Sequence, residues 1–174
     1  MRRIAFACLA VLASSAIALS VSVNSASAAT KKAAVEKSSS DLVNEARRWI
    51  GTNPTGWSHV WCARFMNFVL KRAGYAGTNS DAASSFASYG SRAWGPQVGS
   101  IAVMTRGRNG GHVGVVAGIA DDGSIIVISG NHNKRVGVGH YPASRIYTYR
   151  FPEKTASSSS HSNHGNQQVS QSVY

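Results

Sequence analysis

The stretch Trp61-Cys62-Ala63-Arg64-Phe65-Met66-Asn67-Phe68-Val69-Leu70-Lys71-Arg72-Ala73-Gly74 sets a cysteine at the head of an apolar run. Ala63, Met66, Leu70 and Ala73 recur at helical spacing, and Phe65, Phe68 and Val69 widen that stripe. The spacing predicts a largely buried helix, ended by Lys71, Arg72 and Gly74. Cys62 then sits at the helix start. Unpaired N–H groups and the positive end of the helix dipole favour an anion there, so the thiol is a candidate nucleophile. Taken alone, it is equally a buried structural thiol.

Working outward, two kinds of segment flank this helix. Upstream, Ser38–Gly51 begins with good N-cap residues, and Leu42, Ala46, Trp49 and Ile50 share one face, so a further helix is expected. Downstream, Ser80–Gly90 offers Ser80 or Asp81 as a cap for a third, short helix anchored by Phe86 and Tyr89. After Pro96 the pattern changes to short runs rich in Val, Ile and Tyr: 98–105, 112–120, 124–130 and 144–151. Ala120-Asp121-Asp122-Gly123-Ser124 between the second and third fits a hairpin turn. Residues 134–141 read as a further strand weakened by glycines. Helices first and strands after give an α+β class, with helices packed on an antiparallel sheet.

The ends of the chain differ from this middle. Arg2 and Arg3 precede an apolar run from Ile4 to about Leu19, and Ala26-Ser27-Ala28 has the small-x-small form that a signal peptidase accepts. Residues 1–28 are therefore expected to be a signal peptide cleaved after Ala28, with Ala29 as the alternative. The run is short for a membrane anchor, so no stable membrane insertion is expected, and the protein is expected in the periplasm or outside the cell. Cys8 leaves with the leader, and Cys62 becomes an odd thiol without an internal disulfide partner. Residues 29–40 read as a linker, 41–152 as the folded domain, and 153–174 as a disordered tail rich in Ser, Asn, Gln and His.

The chain carries a formal charge of +11, which falls by two when the leader is removed. Such a surface is attracted to polyanions, including cell-wall polymers. The basic pairs Arg47-Arg48, Lys71-Arg72 and Lys134-Arg135 accompany no recognition-helix, aromatic RNA-binding or zinc-finger pattern, so nucleic acid is not the expected partner. The six histidines have no compelling metal-ligand spacing, and neither metal nor other cofactor is expected.

A thiol nucleophile needs a base, and the base needs an orienting group. His112 opens a strand directly after Gly110-Gly111, which lets a loop approach closely while the strand fixes the imidazole. After the next strand stand Ser129, Asn131, His132 and Asn133. Asn131 is the first choice as orienting residue and His132 the second, with Asn133 and Ser129 behind them. Trp57, His59 and Trp61 stand just before the thiol and could line a groove, although aromatic residues there are more often core.

The ordered set Trp61–Gly74, then Pro96–Met104, then Gly111–Ile119, then Val127–Asn133 resembles the CHAP domains, cysteine, histidine-dependent amidohydrolase/peptidase modules related to the NlpC-type cell-wall peptidases. The resemblance covers about residues 41 to 150. It implies a papain-like fold, Cys62 as nucleophile, His112 as base and a polar third residue near Asn131. It further implies hydrolysis of amide bonds in bacterial peptidoglycan by acyl transfer, through a thiolate beside an imidazolium. CHAP domains often carry an acidic residue just before the asparagine, where this chain has Ser129 and Gly130. The competing expectation is a non-catalytic wall-binding module on the same scaffold. Oligomeric state is not readable from the sequence.

Overall fold

The computed structural model describes residues 22–106 and 110–154. Most of the expected signal peptide and nearly all of the expected tail lie outside these residues. The first helix, α1, spans Ser22–Arg47, so the segment expected as an irregular linker, 29–40, is helical. Its composition accounts for this, since Ala28, Ala29, Ala33, Ala34, Lys31, Lys32 and Lys37 are strong helix formers that need no packing to favour the helix. The chain divides into two compact units at Ala34/Val35, and the second holds the whole candidate site.

Within that second unit, α1 turns amphipathic. Leu42, Val43 and Ala46 are buried. Glu45, nearly buried, accepts the indole N–H of Trp49 at 3.1 Å and is paired with Arg72 of the second helix. Burial pushes its carboxyl pKa up, but the hydrogen bonds from Trp49 and Arg72 outweigh this and hold the carboxyl below its usual range.

Helix α2 spans Cys62–Arg72, starting at the expected residue, and buries Cys62, Ala63, Phe65, Met66, Val69 and Leu70. The third helix expected near Ser80 forms as a 3-10 segment, Ala83–Ser88, with Phe86 fully buried. Six residues rich in Ser and Ala are too few to gain from α-helical propagation.

Among the described residues six strands form one antiparallel sheet: β1 (Ser91–Ala93), β2 (Ile101–Arg106), β3 (Gly110–Ile119), β4 (Ile125–His132), β5 (Arg135–Tyr141) and β6 (Ile146–Phe151). Their spatial order is β1-β6-β2-β3-β4-β5. The α+β class is thus as expected, with the edge strand β1 added. Alternation along β2 and β3 serves two apolar clusters: Ile101, Val103, Val113 and Val115 join the helices, while Ala102, Met104 and Val116 join Ile125 and Val127.

Two features of β4 position the site. Gly130 lies so close to α2 that a Cβ there would come within 2.5 Å of the Phe65 Cβ and 2.7 Å of the Trp61 ring. The register of β4 against β5 shifts between Ser129 and His132, and Asn131 has φ of 56°. The hairpin then closes through Asn133 and Lys134, both left-handed at 54° and 63°, as a primed two-residue turn requires.

Candidate active site

The nucleophile candidate is held by the helix start and by β3. Cys62 is 1% exposed. The backbone N–H groups of Val113 and Ala63 are near enough to its thiol to favour the ionised form. Val113 directly follows His112, so the sheet brings the strand bearing the candidate base to the start of α2. Burial nevertheless pushes the thiol's pKa up, and the N–H groups of Val113 and Ala63 and the positive charge of Arg106 do not prevail against it. The helix start alone does not produce an anion here.

His112 lies in β3, opposite Met104, and is 3% exposed. Its Nε2 is 2.9 Å from the hydroxyl oxygen of Ser129, while its Nδ1 is buried with no hydrogen-bond partner among the described residues. An imidazole that donates Nε2–H to Ser129 carries its lone pair on Nδ1, the form a general base needs. Burial, then the charges of Arg106, His132 and Arg145, lower its pKa from 6.5 to about 4. Thiol and imidazole are therefore both neutral near pH 7, in contrast to the thiolate and imidazolium expected from the family resemblance. No hydrogen bond joins Cys62 to His112 among the described residues.

The structure assigns the orienting contact differently from the sequence reading. Ser129, fully buried, holds Nε2; Asn131 and His132 make no hydrogen bond to His112 among the described residues. The bulge explains this. Ser129 stays in register with the sheet, whereas Asn131 turns left-handed past it. Asn131 instead lines, with His132 and His112, a cavity of about 240 Å³ beside the imidazole.

Of the three expected groove residues, Trp61 belongs to the core. It is 1% exposed, meets Phe65 edge-on at 6.4 Å between centroids, and rests against Gly130. Trp57 is 51% exposed and its ring lies 3.9 Å beneath the Arg64 guanidinium, which is also paired with Asp81. His59 is exposed on the same loop. Val60, two residues before the thiol, has φ of 47° and is 68% exposed. A β-branched residue resists that conformation, and such strain clusters beside functional groups. Hydropathy could not have revealed Val60, since its signal lies in the backbone angle.

Comparison with known families agrees with this geometry. The family model described as CHAP domain matches residues 54–131, from the loop before α2 to the bulge in β4. Over these residues the chain is similar to CHAP domains. The matched segment contains Cys62, His112, Ser129 and Asn131, and hydrolysis of amide bonds of the peptidoglycan type is the activity associated with such domains. No curated protein and no solved structure gives a significant match to the chain. Among the described residues no group of three or more His, Cys, Asp or Glu is placed to hold a metal ion. None of the described helices is long and apolar enough to cross a membrane.

Proposed function

We propose that this chain is an exported cysteine hydrolase, a papain-like variant of the CHAP fold, that cuts amide bonds of bacterial peptidoglycan through Cys62. The observation that carries the reading is the buried Nδ1 of His112, without a hydrogen-bond partner among the described residues, on the strand whose next backbone N–H lies near the Cys62 thiol. An unpaired buried nitrogen costs about 1–3 kcal/mol.

With both groups neutral at rest, activation accompanies attack. The Nδ1 lone pair of His112 takes the thiol proton as Sγ bonds to the substrate carbonyl carbon. The N–H groups at the start of α2 offer donors to the developing oxyanion. Nδ1–H then protonates the leaving amine nitrogen as the C–N bond breaks, leaving a thioester. Water attacks that thioester while giving a proton to Nδ1, and the acid departs as Sγ recovers the proton. Ser129 holds the ring through Nε2 and accepts Nε2–H in the tautomer that these steps use, but being neutral it lends no charge to the imidazolium. Trp57 and His59 are among the exposed residues available to substrate before the thiol.

The test is digestion of purified peptidoglycan by the wild-type chain and by Cys62→Ala, with mass analysis of the products. New amine and carboxyl ends from the wild type alone are expected, and their position names the bond. Equal fragment profiles would overturn the reading. The burial of the thiol and the missing Cys62–His112 hydrogen bond favour a second reading, a non-catalytic wall-binding module; sedimentation with intact peptidoglycan and no new ends from either protein would establish it.

A further inference from the structure

The cavity beside His112 has a chemical character that hydrolysis alone does not require. Its walls come from the end of β2 (Arg106), the bulge and turn after β4 (Asn131, His132, Asn133), the end of β5 (Tyr141) and the 3-10 turn Ala143–Arg145 (Arg145). Among the described residues no Asp or Glu lines it. The ion pairs among the described residues engage Glu45 and Asp81, both outside this wall, so neither Arg106 nor Arg145 has a carboxylate partner there.

Arg145 is nevertheless placed. One of its Nη atoms donates to the Thr105 carbonyl at 3.1 Å, and its guanidinium lies 5.4 Å from the centre of the Tyr141 ring. That ring in turn is 6.0 Å from the His112 imidazole. Thr105 is the residue before Arg106, so the same stretch of β2 positions both cations. The volume, about 240 Å³, suits a small anionic group with a few attached atoms rather than a sugar ring chain. Planar forks of N–H donors match the two oxygens of a carboxylate.

We propose that this cavity is a carboxylate subsite, in which Arg106 and Arg145 bind a free carboxylate of the peptide whose amide is presented to Cys62. This rests on the hydrolase reading, and it names the substrates preferred: peptides whose carboxyl groups beside the cut are free rather than amidated. Occupancy also serves the chemistry. The positive charges that disfavour protonation of His112 would be neutralised by the bound anion, so the base strengthens when the right substrate arrives.

The experiment is calorimetric titration of full-length Cys62→Ala with a short stem peptide bearing free carboxylates and with the same peptide as its carboxamide. The free acid is expected to bind about tenfold more tightly. That preference should fall below about threefold in Arg106→Gln and in Arg145→Gln, both exposed residues whose circular dichroism should match the parent. Equal binding of acid and amide by the parent overturns the subsite, as does an undiminished preference in both variants. Glycerol phosphate serves as competitor: displacement at lower concentration than acetate would make the cavity a phosphate site and also overturn the proposal. Because binding is read on an inactive variant, these outcomes are independent of peptidoglycan digestion by the wild type, which decides the hydrolase reading alone.

Discussion

The β3–β4 hairpin has two ends built to opposite rules. At its turn, Ala120–Ser124, the backbone N–H groups of Ala120 and Gly123 are satisfied within the loop, the Ser124 N–H goes to the Asp122 carboxylate, and the left-handed position is a glycine. At the other end, the strands bring His112 and Ser129 within 2.9 Å of each other. The left-handed positions there are Asn131, Asn133 and Lys134, an imidazole nitrogen is buried unpaired, and two arginines lack carboxylate partners among the described residues. The same pair of strands is locally relaxed where it only turns and locally costly where it bears polar side chains. Left-handed residues and an unpaired imidazole nitrogen gathered at one end of a hairpin support reading that end as the candidate site.

The largest expected break in this contrast is electrostatic. Burial holds the His112 pKa near 4, against 6.5 ordinarily. The unfolded chain therefore takes up its proton first, and the stabilising contribution is complete above about pH 6.5 and lost as pH falls towards 4. The loss at that one residue is about 3 kcal/mol, saturating below pH 4. Denaturant unfolding across this range should show the slope in the wild type, and the difference between wild type and His112→Gln should remove it.

Next is the orienting hydroxyl. Ser129→Ala should lower kcat by about 10- to 100-fold with KM little changed, and should broaden the pH profile by freeing the ring, whereas Asn131→Ala should act mainly on KM. Equal kcat losses would return Asn131 to the role that the sequence proposed for it.

The glycines sharpen the comparison further. Gly130→Ala should cost about 1–3 kcal/mol in unfolding free energy, because the new Cβ meets Phe65 and Trp61. Gly123→Ala meets nothing within 4 Å and carries only the strain of φ at 80°, so about 1 kcal/mol is expected. The smallest effect runs the other way. Lys134→Gly relieves a left-handed lysine in the β4–β5 turn and should raise stability by a few tenths of a kcal/mol, seen as a small rise in Tm.

Much of this architecture was legible from residue order. Helix α2 begins at Cys62, four of the strands fall on the Val-, Ile- and Tyr-rich runs, and β5 falls on the glycine-weakened segment 134–141, because period and β-branching report burial directly. The three-residue β1 carries no such signal, and its pairing with β6 depends on a strand nearly sixty residues away. Trp61 was expected at a groove and lies in the core, since aromatic character does not say which side of a helix start faces solvent. Ser129 was the weaker candidate for orienting His112, and a bulge made it the one in contact.

Sequence by itself determined which groups the molecule possesses: one thiol at a helix start, one imidazole after paired glycines, a polar cluster after the next strand, and a surplus of positive charge. These follow from local spacing and composition, which need no knowledge of distant neighbours. Tertiary structure alone decided their protonation and their company. Burial and nearby charge are long-range properties, and they leave thiol and imidazole neutral, give Nε2 to Ser129, and gather Arg106 and Arg145, far apart in the chain, around one small cavity.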